Sequence, residues 1–244
     1  SLAPFVRGFK VYAASGMDSF PRLGPFEIED VLSIAKSLGL PVLLHAEDGE
    51  YIARAAERAA QAAGRNAGPR DYYLSRPETA ELLAVQAAAL LARRTGADLH
   101  VVHLATAEGA PVLAAAGATC ETCPHYLEFD LADFERAGSA LKAAPCVKPG
   151  QREALWRALA AGGISFAASD HAPAPPEEKN TGSIWTDYGG IPGTGVLWPY
   201  LYSEGFRAGR LGLARFLAAV SETAAKRFGL GERKGAIGAG RAAD

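Results

Sequence analysis

Leu40-Pro41-Val42-Leu43-Leu44-His45-Ala46-Glu47-Asp48 is the stretch on which the fold turns. Gly39 and Pro41 punctuate its start, Val42 to Leu44 are uninterrupted apolar residues, and acidic residues follow His45. A short apolar run between a breaker and a charged turn reads as a buried strand, Leu40 to His45. The same alternation extends in both directions. Upstream, Gly8 to Ala14 reads as a strand and Glu27 to Leu38 as a helix. Downstream come alanine-rich helices, Tyr51 to Ala63 and Glu78 to Thr95, then a strand from Leu99 to Leu104. A helix from Glu108 to Ala116, a strand from Ala118 to Cys123, a helix from Arg152 to Ala161 and a strand from Ile164 to Ser169 follow. Helical spacing returns from Ala214 to Phe228. Strands separated by helices imply parallel pairing, hence an α/β sheet or barrel.

A complete eight-unit barrel takes about 250 residues, and the chain has 244. Its strands stop at five, however, and it begins almost directly in one. The expectation is a (β/α)8 barrel that lacks its first strands here. Composition is that of an ordinary globular protein, 49% hydrophobic and 21% charged with a formal net charge of -2. That balance argues against a nucleic-acid or anionic-membrane partner. No apolar stretch reaches the roughly 18 residues of a spanning helix. Three cysteines in such a chain suggest free thiols and a cytoplasmic location.

The chemistry sits at the strand ends. The first strand carries Lys10, the second ends in His45, the third in His103, and the fifth in Ser169-Asp170-His171. Parallel strands with right-handed crossovers bring their C-terminal ends to one face. Two imidazoles and a carboxylate there form a donor set suited to zinc or a similar divalent ion. A lysine inside a barrel is costly unless its charge is paired or removed. It is read either as a salt bridge or as a lysine carbamylated by carbon dioxide, an anion able to bridge two metals.

Five motifs then resemble a known family: Gly8-Phe9-Lys10-Val11-Tyr12, Leu44-His45-Ala46-Glu47-Asp48, Val102-His103-Leu104, Glu121-Thr122-Cys123-Pro124-His125-Tyr126-Leu127 and Ser169-Asp170-His171-Ala172-Pro173. In order and content they are similar to the cyclic amidohydrolases, which include allantoinases, dihydroorotases and hydantoinases. The resemblance implies a TIM-type barrel of the metal-dependent hydrolase kind and two divalent ions, with zinc expected. It makes Lys10 the carbamylated bridge, assigns His45 and His103 to one ion, and gives Asp170 to the other ion and to general-base duty. It also implies a homo-oligomer and a small cyclic amide or ureide as substrate. On this reading residues 1–230 belong to the barrel and 231–244 lead back into a small β-sandwich domain.

The family's His-x-His pair is missing, for the five histidines stand at 45, 100, 103, 125 and 171. That fits a chain without the first barrel strands. His100 and His103, three apart, should point to opposite faces of a strand. Cys120 and Cys123 are read as packing residues of the fourth strand, and Cys146 as structural. His171 either touches substrate or braces its loop. Ser15 and Gly190 are further substrate-binding candidates.

Ser15-Gly16-Met17-Asp18-Ser19-Phe20-Pro21, Leu74-Ser75-Arg76-Pro77 and Ala144 resemble allantoinases. Asp170-His171-Ala172-Pro173 and Gly189-Gly190-Ile191-Pro192-Gly193, with Cys146 and Lys148, lean toward dihydroorotase. Allantoin is the expected substrate and dihydroorotate the alternative. Hydantoinase activity fits less well, because Ser15 stands where hydantoinases place a substrate-contacting Tyr. A non-catalytic binding or scaffold protein of the same fold is the reading from a different class.

Overall fold

Every strand expected from the sequence forms, but each is shorter than its apolar run. In a computed structural model, which describes residues 3–16 and 19–242, they are β1 (Phe9–Tyr12), β2 (Val42–His45), β3 (Leu99–Val101), β4 (Thr119–Thr122) and β5 (Phe166–Ala167). They lie side by side in sequence order, and every pair is parallel. A doubly wound sheet reverses direction at a switch point. This order never reverses, which is the progression of a barrel wall.

The register sorts the side chains. Paired residues of a parallel sheet share a face, so Lys10, Leu43 and His100 form one row and Val11, Leu44 and Val101 the opposite one. Val42, Leu44, Leu99, Val101 and Cys120 are buried beneath the helices. The other face carries polar groups. There His100 joins Thr119 through Nδ1 (2.7 Å) and Glu121 through Nε2 (3.2 Å), and its ring stacks 5.2 Å from Phe166.

The helices cover the apolar face. α1 (Pro25–Ser37) buries Ile28, Leu32 and Ala35, and opens with Pro25 in its first turn, where a missing N–H costs nothing. α2 (Gly49–Ala63) starts at Asp48, whose carboxylate accepts the Tyr51 N–H at 2.7 Å, a standard N-cap. A short α3 (Pro69–Ser75) precedes α4 (Glu78–Thr95), which buries Ala80, Ala84, Val85, Ala88, Ala89 and Ala92. This small-residue face lets backbones approach closely. Gly96 ends α4 at φ 65°, a conformation glycine adopts without strain.

The rest are α5 (Gly109–Ala115), α6 (Pro124–Glu128), α7 (Leu131–Ala137), α8 (Gln151–Ala161), α9 (Pro176–Lys179) and α10 (Leu197–Tyr200). After a π-helical run, Leu201–Arg207, come α11 (Leu213–Leu217), a π turn (Ala218–Glu222) and α12 (Thr223–Arg227). The helix expected from Ala214 to Phe228 is therefore interrupted by wider hydrogen bonding. Sequence reading missed α3, α6, α7, α9 and α10. Three of these, α3, α6 and α9, open on proline and are too short to show a period. Residues 231–242 form turns and bends. Among the described residues, no helix is long and apolar enough to cross a membrane.

Candidate metal centre

His45 closes β2, pairs with Tyr12 across the sheet, and is 5% exposed. Its Nδ1 lies 3.1 Å from Nε2 of His103, with the rings nearly edge to face at 69°. Two imidazole nitrogens sharing a tetrahedral zinc at 2.0–2.1 Å stand about 3.3–3.4 Å apart. The observed separation is close to that of ligands addressing one ion.

His103 reaches this position through its backbone. β3 ends at Val101, and His103 takes φ 43°. His103 and Asp170 (φ 44°) are the non-glycine residues with positive φ among the described residues. Such conformations cost of order 1–3 kcal/mol each and cluster at functional sites. Both fall on residues singled out from sequence as metal ligands. The strand-alternation argument about His100 and His103 therefore does not apply, since the strand ends between them.

Lys10 lies on the row of His100 and holds its ammonium 4.6 Å above the Tyr12 ring, which is 5.9 Å from the His45 ring. Its side chain keeps a water-accessible side. The surrounding protein nevertheless desolvates the ammonium and lowers its pKa to about 8, against the attraction of Asp170 and Glu121. Burial raises the Asp170 pKa, and Lys10 and His45 oppose that rise. Burial, with His45 beside it, pushes His103 well below the usual imidazole range, so the ring is neutral. A neutral imidazole is the form that binds metal. The charge of Lys10 is thus felt at both His103 and Asp170.

Two further residues belong here. Cys123 Sγ, a His125 ring nitrogen and an Asp170 carboxylate oxygen lie within 4.8 Å of one another. Cys123 is buried, as a packing residue should be, and burial holds its thiol well above the usual range, with Asp170 adding to the effect. The packing reading holds, and this thiol also adjoins the candidate base. Burial alone lowers His125 to about 3, and its Nε2 has no partner. The Cys-Pro-His run was visible, but nothing in its spacing shows that α6 folds it back beneath Asp170.

The loop candidates separate from this cluster. His171 Nδ1 accepts the N–H groups of Gly193 (3.0 Å) and Thr194 (3.2 Å), and Ala172 N–H donates to Ile191 O. Of the two roles read for His171, bracing the 189–194 loop is the one these bonds perform. Gly190 donates its N–H to Lys142 O, and a Cβ there would meet Ala172 O at 2.5 Å. Ser15 is half-buried after β1, and Met17 and Asp18 of its motif lie outside the described residues. A cavity of about 390 Å³, lined partly by His125, Ser169, Ile191, Pro192 and Gly193, opens beside Asp170. Small-ligand pockets run about 300–1,000 Å³.

Residues 8–244 match the amidohydrolase family. The chain belongs to that family. It is 40% identical to an allantoinase of Rubrobacter xylanophilus and 41% identical to one of Deinococcus radiodurans, each match covering 98% of this chain and 54% of the relative. The amidohydrolase fold is equally clear in three dimensions. An L-hydantoinase (dihydropyrimidinase) from Arthrobacter aurescens superposes with a TM-score of 0.93 at 29% identity over 98% of this chain and 55% of that one. A D-hydantoinase (dihydropyrimidinase) from a Thermus species gives 0.91 at 31% identity, covering 98% and 54%. The chain spans about half the length of the curated relatives it matches.

Proposed function

We propose that this chain supplies most of the active-site half of a metal-dependent amidohydrolase that opens a cyclic ureide, with allantoin as its preferred substrate. The observation that carries the reading is the facing pair of ring nitrogens on His45 and His103, 3.1 Å apart, in electrostatic contact with Lys10 and Asp170. In this reading His45 and His103 hold one divalent ion. Lys10, once carbamylated, and Asp170 would hold a second. The amine of Lys10 would add to carbon dioxide and lose a proton, giving the anionic carbamate. A bound divalent ion supplies Lewis acidity and lowers the pKa of water from 15.7 to about 7.

The remaining work falls to the chain. Asp170, partly exposed beside the cavity, takes a proton from the attacking water and returns it to the departing ring nitrogen. Burial raises its pKa in the absence of an ion. Through its bonds to Gly193 and Thr194, His171 holds the loop that walls the cavity. Residues 231–244 are assigned to the lead into a small second domain. The similarity to curated allantoinases at 40–41% identity supports the choice of substrate, and the hydantoinase folds support the reaction class.

The test compares allantoin, dihydroorotate and hydantoin by kcat/KM in the full-length protein. Allantoin is expected to lead by tenfold or more, about 1.4 kcal/mol in transition-state binding. Dihydroorotate or hydantoin leading by that margin would replace the substrate assignment. No turnover of any of the three, with no zinc bound, would leave the binding-protein reading.

A further inference from the structure

Glu47 lies two residues beyond His45, and nothing in the reaction just described uses it. It is fully buried, with 0% exposure. Its Oε2 accepts from His45 Nε2 at 2.9 Å and from Arg76 Nη1 at 2.5 Å, while Oε1 has no partner among the described residues. Arg76 comes from the Leu74-Ser75-Arg76-Pro77 stretch after α3, so two distant segments meet on one carboxylate oxygen. The guanidinium is part-buried and lies 5.5 Å over the Tyr72 ring.

A carboxylate only accepts hydrogen bonds, so this contact places the His45 proton on Nε2 and leaves the Nδ1 lone pair facing His103. Metal-binding histidines are commonly oriented in this way by a carboxylate behind the ring. The Arg76 guanidinium meets the same carboxylate oxygen, at 2.5 Å, and so fixes the position of the carboxylate behind the ring. We propose that Glu47 and Arg76 are positioning residues which fix the tautomer and orientation of His45 and thereby set the affinity of the ion shared with His103. The inference rests on the metal-centre reading above.

The chain contains an alternative that the test must separate, because a buried ion pair could serve only to join α3 to the β2 corner. Zinc affinity, measured by chelator competition on folded full-length protein, distinguishes the two. Glu47→Gln and Arg76→Met are each expected to weaken zinc binding by about 10–100-fold, the usual effect of losing such an outer partner. Arg76→Lys, which keeps the charge, is expected to recover most of it. In zinc-loaded wild type with ¹⁵N-labelled histidine, the His45 signal should report a protonated Nε2, a measurement that needs no variant. Should Glu47→Gln fail to fold, the neutral pair Glu47→Gln with Arg76→Met takes its place. Folded variants that bind zinc within twofold of wild type, or a His45 protonated on Nδ1, would overturn the positioning role while leaving the metal centre standing. Wild type that binds no zinc would remove the metal-centre reading and this inference together.

Discussion

Replacing His125 with Gln should make the metal-free protein more resistant to mild acid, by an amount the structure sets. His125 is 5% exposed with Nε2 unpartnered, and burial lowers its pKa from 6.5 to about 3. An unfolded histidine takes a proton as the pH falls below about 6.5, whereas this one does not until the pH nears 3. Stability from the neutral ring is therefore complete above 6.5 and is lost as the pH falls from 6.5 toward 3. At 1.36 kcal/mol per pH unit the loss is about 2 kcal/mol at pH 5 and approaches about 5 kcal/mol near pH 3. Glutamine does not titrate, so it escapes this loss. Its buried amide costs stability at every pH, and that constant cancels when the wild-type-to-variant difference is compared at two pH values. Urea unfolding at about pH 7.5 and pH 5 gives the two differences. The difference should move by about 2 kcal/mol in favour of the variant at the lower pH. A change within about 0.5 kcal/mol, smaller than a quarter of that, would show that His125 is not held neutral by burial.

Three other outcomes follow from the site. His45→Ala and His103→Ala should each lower bound zinc by one ion per chain in the full-length protein, read by elemental analysis. Asp170→Asn should reduce kcat by about 10²–10⁴-fold with smaller change in KM, while the ion at His45 and His103 stays bound; an unchanged kcat would remove Asp170 as the base. Gly193→Ala should cost about 1–3 kcal/mol by overpacking, because the new Cβ would collide with the Ser169 carbonyl oxygen; the melting temperature reads it.

Where the sequence could be read, it was read from patterns that packing enforces. Val42 to Leu44 must be apolar because helices cover one face and neighbouring strands flank them, so β2 shows as an unbroken run. α4 matches its expected range, Glu78–Thr95, because Pro77 opens it, Gly96 closes it and its alanines line one face. The strand ends were harder. His103 and Asp170 were assigned to strands that in fact stop before them, since a residue type does not announce a left-handed turn. Cys123 was read with Cys120 as a packing residue and His125 only as part of a motif, and only the fold of α6 sets them beside Asp170. Glu47 and Arg76 stood inside quoted motifs, yet their pairing depends on α3, which was too short to recognise.

The two strained turns explain how residues from separate strand ends come to face one another. Side chains on a strand alternate, so a run of extended residues cannot aim successive groups at one point above the sheet. Ending β3 at Val101 and turning at His103 frees its ring to swing toward His45, and ending β5 at Ala167 lets Asp170 do the same toward Lys10. Each turn costs of order 1–3 kcal/mol, and bonds on both sides offset it. Val102 N–H donates to Leu44 O at 3.1 Å just before His103, and Leu104 N–H to Glu121 O at 2.7 Å just after it. Ala168 N–H donates to Thr122 O and Ala172 N–H to Ile191 O, on either side of Asp170. The backbone therefore holds both side chains in place through its own hydrogen bonds. The ring nitrogens of His45 and His103 thus stand 3.1 Å apart with the turn already formed.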